Sequence, residues 1–221
     1  MTDSGIADHI NAVHRRVRDA GTGRGPARSI VMRRTFDAGV DDVWDACTDA
    51  ERLGRWFLPV TGELRLGGRY QLEGNAGGEV LRCEPPRLLR VSWGMGEPGA
   101  GGSSEVEVRL APDGDGRTLF ELEHASVVDP EFWDTYGPGA TGVGWDLGLT
   151  GLGPYLAEGA AFDRAAHQAW SESPAARDFL VASSAAWGRA NEAYGTPAGT
   201  AAAMTSATTD FYAPPPTTTG E

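Results

Sequence analysis

"GVGWDLGLTGLGPYL", residues 142–156, repeats tryptophan and leucine at a helical period, yet five of its fifteen residues are glycine and one is proline. Each interior glycine costs about 1 kcal/mol relative to alanine and an interior proline about 3 kcal/mol, a sum that approaches the stability of an ordinary domain. Something must require the missing side chains. At about 100° per residue, Trp145, Leu149, Leu152 and Leu156 form one apolar stripe. Gly144, Gly148 and Gly151 form a second stripe beside it, with Leu147 beyond. Glycines flanked by large residues on both sides read as a hollow in a buried face. They either roof an internal cavity or form a groove that admits another helix, one of those after residue 161 or one from a second subunit in a homodimer. The expectation is the cavity, under one continuous helix.

The surface that such a helix covers precedes it. Between residues 61 and 126 lie "GELRL", "GRYQLEG", "EVLRCE", "RLLRVSWG", "SSEVEVRLAP" and "RTLFELEHA", separated by glycine- and proline-rich breakers. A period of two points Tyr70, Leu72, Leu81, Cys83, Leu89, Val91, Trp93, Val106, Val108, Leu110, Phe120, Leu122 and His124 inward. Outward go charged residues such as Glu73, Arg82, Arg90, Glu105, Glu107 and Arg109, which suit cross-strand pairs. One wet and one apolar face mark an antiparallel meander covered on a single side.

Upstream, Ile6, Ile10, Val13 and Val17 behind Ser4 predict an amphipathic helix over the first twenty residues. "RSIVMRRTFDA" then suits a strand with Ile30, Met32, Arg34 and Phe36 on one face. "GVDDVWDACTDAERLGRWF" reads as two short helices, the second capped by Thr48 or Asp49, that bring Val43, Trp44, Leu53, Trp56 and Phe57 towards the core. Downstream, Ser173, Pro174 and Gly195 delimit a helix that packs outside the main unit. A further short helix turns Met204 and Phe211 inward, and "APPPTTTGE" suits a disordered tail.

A net charge of -12 and a pI near 4.7 oppose binding to nucleic acid or to an anionic membrane. Two cysteines, Cys47 and Cys83, without a CxxC or a zinc-type cluster suit a reducing cytoplasm. No apolar run has the length of a membrane span and the start lacks a signal-peptide core, so neither anchoring nor export is expected. "GVGWDLG" is not GxGxxG and follows a loop, and "GTGRG" lacks the Lys-Ser/Thr of a phosphate loop. His9 and His14 share no helix face, and no HExxH, GxSxG or paired-carboxylate pattern occurs. No catalytic residue, metal or cofactor is expected.

The order strand, two short helices, six strands, long helix resembles the START/Bet v 1-like (SRPBCC) superfamily. "RTFDAGVDDVWDACTDAERLGRWFLP", "LRLGGRYQLEG", "VLRCEPPRLLRVSWG", "GRTLFELEH" and "GVGWDLGLTGL" are similar to its branch named after the heat-shock-protein-90 ATPase activator. The likeness covers residues 28–158. It implies an α+β helix-grip fold, in which a seven-stranded antiparallel sheet wraps a long C-terminal helix over an apolar cavity, here with extra C-terminal helices. The expected organisation is an N-terminal helix and linker over 1–27, the helix-grip domain over 28–160, a helical extension over 161–212 and the tail over 213–221.

The residues expected to contact a ligand are Arg34, Tyr70, Leu89, Trp93, Val106, Val108, Phe120, His124, Trp145 and Gly148. Arg34 would hold an acidic group bidentately, or else pair with Asp146 or reach to solvent. His124 would act as a base at the cavity wall, or simply sit satisfied in the core. Asp146 would orient one of these two, or stand in solvent. Tyr70, Trp93 and Trp145 would line a pocket for a planar ligand, or be plain core. Cys47 and Cys83 act as small hydrophobes. The expected function is to bind a hydrophobic or aromatic small molecule in the cytoplasm without catalysis. The alternatives are a cyclase/aromatase-like enzyme acting on a polyketide-like substrate, and a modulator of a chaperone ATPase.

Overall fold

The computed structural model describes residues 3–22, 25–95, 104–127, 129–160 and 163–214. Its centre is an antiparallel sheet in the order β1-β2-β8-β7-β6-β5-β4-β3. The strands are β1 (His14–Thr22), β2 (Gly25–Phe36), β3 (Val60–Gly62), β4 (Arg69–Leu72), β5 (Ala76–Glu84), β6 (Leu88–Met95), β7 (Ser104–Pro112) and β8 (Thr118–Val127). The helices are α1 (Asp3–Ala12), α2 (Val40–Thr48), α3 (Ala50–Trp56), α4 (Pro130–Tyr136), α5 (Gly139–Leu149), α6 (Leu152–Glu158), α7 (Arg164–Ser171), α8 (Pro174–Tyr194) and α9 (Ala198–Tyr212). This is the α+β helix-grip architecture, with eight strands among the described residues instead of seven.

The additional strand is β1, where the sequence predicts the second half of a helix. Val13 and Val17 are four apart, a spacing that suits one helical turn and also one face of a strand. The residue between them on that face is Arg15, which breaks the apolar alternation a strand would otherwise show. Arg15 nevertheless turns inward. Its Nε and Nη2 donate to the two oxygens of Asp146 at 3.1 and 2.8 Å, and its Nη1 donates to the carbonyls of Ile10 and Val13. Asp146 also accepts from Ser183 Oγ at 2.6 Å and from Trp187 Nε1 at 3.0 Å. Its side chain is 0 % exposed, so the expectation of a solvated position is overturned. A buried carboxylate must be paired and hydrogen-bonded, and this one ties β1, α5 and α8 together.

That tie places α8 inside the main unit. The cap residues read from the sequence hold: Ser173 Oγ accepts from Ala176 N, and Gly195 takes a left-handed φ of 117°. The helix between them sends Trp187, fully buried, into the principal core. Met204 of α9 is buried as expected, whereas Phe211 is 58 % exposed. Residues 215–221 of the expected tail lie outside the described residues. Ala213 ahead of them is buried, and its carbonyl accepts from Arg177 Nη1 at 2.8 Å.

The glycine stretch is two helices, not one, broken at Thr150 and Gly151 between α5 and α6. Its glycines do not roof empty space. A Cβ on Gly142 would stand 2.2 Å from the Trp187 ring, one on Gly151 2.2 Å from the Trp56 carbonyl oxygen, and one on Gly148 2.8 Å from the Phe57 ring. Gly142, outside the stripe, admits α8, whereas Gly148 and Gly151 of the stripe admit the end of α3 and Gly144 stands beside Tyr212, so these glycines are a packing groove, filled chiefly by a helix that precedes them and not by one after residue 161.

Two strand assignments also shift. Strand β3 covers Val60–Gly62, so "GELRL" is mostly a turn leading to β4. Register slips between Val80 and Arg82 in the β5–β6 pair, and such a bulge reverses which side chains face inward. Val80 is therefore buried and Leu81 is 40 % exposed. On the outer face Arg90 reaches Glu107 across the β6–β7 pair at 2.5 Å and Arg109 reaches Glu121 across β7–β8 at 2.8 Å. Arg82 instead pairs along its own strand, with Glu84 at 2.6 Å.

Candidate functional site

Under α5, between the inner face of the sheet and the α2–α3 pair, the fold leaves a cavity of about 110 Å3. The alternation of β4, β6, β7 and β8 supplies Tyr70, Leu89, Trp93, Val106, Val108 and Phe120 to its wall, and α5 supplies Trp145. These seven are where the sequence reading placed them. The other three expected residues lie elsewhere. Gly148 is covered by Phe57 because the ring occupies the space its side chain would take. His124 stands behind Trp145, whose Nε1 donates to its Nδ1 at 3.0 Å. Arg34 is outside the wall, bound to His9 through Nη1 at 3.0 Å, so neither the ion pair with Asp146 nor a reach to open solvent describes it.

Trp56 and Phe57 complete the wall opposite the sheet. They are plain core by the sequence reading, and the clue to a different role is local. Trp56 ends a seven-residue helix, Phe57 caps it and Leu58 follows outside it, a run of three large apolar side chains where the helical period stops. The ring of Phe57 stacks on Trp145 with centroids 6.1 Å apart and planes 15° apart. Trp93 meets Trp145 at 5.0 Å and Tyr70 at 6.5 Å. An aromatic sleeve results.

Most polar side-chain groups of this wall are committed to protein acceptors. Tyr70 Oη donates to the Ser92 carbonyl, Trp56 Nε1 to the Ala46 carbonyl and Thr48 Oγ1 to the Trp44 carbonyl, each at 2.8 Å. Burial raises the Tyr70 phenol above its ordinary range and pushes the Cys47 thiol up to about 12, so neither ionises near neutrality. Burial also lowers His124 to about 4. An indole N–H can only donate, so the His124 Nδ1 that receives it is unprotonated. The lone pair a general base would use at that nitrogen is already engaged. Among the described residues no group of His, Cys, Asp or Glu is arranged to hold a metal, and no helix is long and apolar enough to cross a membrane.

His9 is likewise lowered to about 4, first by burial and then by the Arg34 charge. Both histidines bind a proton more weakly folded than unfolded, where the ordinary value is 6.5. Above pH 6.5 neither form is protonated and the pair is neutral for stability. Between pH 6.5 and 4 the unfolded chain takes up protons that the native protein refuses. Stability should therefore fall with acidification across that window, by up to about 1.4 kcal/mol per pH unit per histidine. Urea unfolding at pH 7 and pH 5 checks the sign; equal stability at both would mean that the two rings titrate freely.

Compared with known families, residues 37–157 match the profile of the Activator of Hsp90 ATPase homolog 1-like protein family. The chain belongs to that family. Among solved structures this Aha1-like chain is similar to CalU16 from Micromonospora echinospora. The crystal structure of CalU16 is 44 % identical, with a TM-score of 0.57 over 67 % of this chain and 88 % of that one. The solution structure is 37 % identical, with a TM-score of 0.69 over 83 % and 97 %. A conserved protein of unknown function from Enterococcus faecalis, 13 % identical, shares the fold with a TM-score of 0.57 over 85 % of this chain and 95 % of its own. No curated protein matches the Aha1-like chain.

Proposed function

We propose that this Aha1-like protein binds an uncharged, flat, hydrophobic small molecule in the cavity beneath α5. The observation that carries the reading is the chemistry of the wall. Aromatic rings line it, while its phenol, the indole N–H groups of Trp56 and Trp145 and the Thr48 hydroxyl are each bonded to a protein acceptor. A guest with polar groups would lose its hydration there and find little to replace it beyond the Trp93 indole N–H, whereas an apolar guest gains about 25 cal/mol per Å2 removed from water. The volume sets the scale. Dry cavities of about 150 Å3 hold benzene, so about 110 Å3 accommodates roughly one ring without rearrangement. A cyclase-type enzyme would need at least two polar groups converging on one point of the guest, which this wall does not offer.

Trp56, Trp93 and Trp145 make the cavity its own reporter. Titrating the protein with benzene should quench or shift tryptophan fluorescence with one-to-one saturation. Val108→Phe, which projects a ring into the open volume, should leave stability within about 1.5 kcal/mol of the parent. It should weaken benzene at least tenfold. No saturable binding by the parent protein, or undiminished binding by a folded Val108→Phe, would overturn the proposal. Either result would direct attention to chaperone-ATPase modulation, the activity in the family's name.

A further inference from the structure

A second feature of the interior asks for a ligand of opposite character. Arg34 projects from the inner face of β2, where its guanidinium carbon lies 4.9 Å over the Phe36 ring. Phe36 meets Phe120 edge-on at 5.8 Å, and Phe120, not Arg34, belongs to the cavity wall. A half-buried guanidinium in apolar surroundings is ordinarily matched by a carboxylate. Among the described residues none pairs with this one. Asp146, close enough to influence His9, has its oxygens committed to Arg15, Ser183 and Trp187.

What Arg34 has instead is a neutral hydrogen bond. Its Nη1 reaches Nδ1 of His9 at 3.0 Å, and a guanidinium can only donate, so His9 accepts at Nδ1 and carries no charge. The bond orients the guanidinium without neutralising it. Nε is buried and has no acceptor. Nη2 has none among the described residues, and Gly153 packs beside it, close enough that a Cβ there would be in van der Waals contact at 3.4 Å. The unused edge, Nε–H beside Nη2–H, is the edge that receives a carboxylate through two parallel hydrogen bonds.

We propose that Arg34, oriented by His9 and flanked by Gly153, is a subsite for a small carboxylate, distinct from the apolar cavity. One uncompensated positive charge calls for one negative charge. A monoanion leaves the partly desolvated site neutral, whereas a phosphate dianion would leave an excess charge to be buried. His9 is a positioning residue here; Arg34 makes the contact.

Sodium acetate is the probe, titrated into the full-length protein at pH 7.5 with total ionic strength held constant by chloride. The Arg34 Nε–H resonance, assigned by its absence from Arg34→Met, should move with acetate and saturate. Inorganic phosphate should bind at least tenfold more weakly. Acetate should raise the Tm of the parent protein but not that of Arg34→Met, which should still bind benzene like the parent. That last arm keeps the two sites separable, since either can fail alone. An Arg34 resonance indifferent to acetate would overturn the proposal, as would acetate stabilisation that persists in Arg34→Met. Should that variant not fold, the titration of the parent resonance decides by itself.

Discussion

Asp146→Ala should cost about 3–5 kcal/mol in urea unfolding at pH 7, or prevent folding altogether. The carboxylate is fully buried and answers three donors, Arg15, Ser183 and Trp187. Removing it strands the Arg15 guanidinium, whose side chain is only 5 % exposed, as an uncompensated charge. The cost of breaking a buried pair from one side is of that size because the surviving partner keeps its full desolvation penalty. It should also exceed anything a surface pair in this chain can show, since Arg55–Glu51 or Arg65–Glu63 stand largely in water. The double replacement Arg15→Met with Asp146→Leu tests the cause. If the damage comes from the stranded charge, the double variant recovers much of the loss. A single Asp146→Ala loss below about 1 kcal/mol would mean that the network does not secure the N-terminal hairpin and α8.

Gly142→Ala should be nearly as damaging, by about 3 kcal/mol, although alanine is the better helix former by about 1 kcal/mol. Its Cβ would stand 2.2 Å from the Trp187 ring, which is fully buried and hydrogen-bonded to Asp146, so the indole cannot swing aside without breaking a second interaction. Close-packed interiors resist added atoms. Gly144→Ala, two residues on, supplies the contrast. Its added carbon meets only Tyr212 Oη at 3.2 Å on the exposed side of α5, so that change should be close to neutral or gain a few tenths of a kcal/mol. Thermal unfolding of the two variants side by side distinguishes glycine as a packing requirement from glycine as a cavity roof. If both variants are as stable as the parent, α8 does not pack on Gly142 as described.

The pair of experiments bears on how much of this protein could be read from its residues alone. Alternation placed the inward faces of β4, β6, β7 and β8, and seven of the ten residues expected at a ligand site do line the cavity. Those residues were readable because a period of two depends only on near neighbours in the chain. The same logic located the caps of α3 and α8, since Asp49 and Ser173 act on amides three residues away. Where a local pattern met a distant partner, the reading failed. Residues 14–20 read as helix because the partner that turns Arg15 inward on a strand is 131 positions later. Leu81 looked inward because a bulge cannot be counted from one strand. Phe57 was read as core, and whether a core ring borders empty space depends on residues from other segments.

The sequence by itself therefore determined the helix-grip architecture, the apolar face of the sheet, the need for small residues along α5 and the absence of a local catalytic motif. Tertiary structure alone decided what fills the glycine groove, which carboxylate answers Arg15, and that Arg34 finds His9 instead of an acid. It also decided where the void lies. Periodicity and capping are energies of short range, set within a few residues and so written into the local order. A cavity is the small remainder after side chains from six strands, two short helices and α5 have claimed their volumes. A buried charge survives only where another segment arrives to meet it. Neither quantity belongs to any one stretch of the chain.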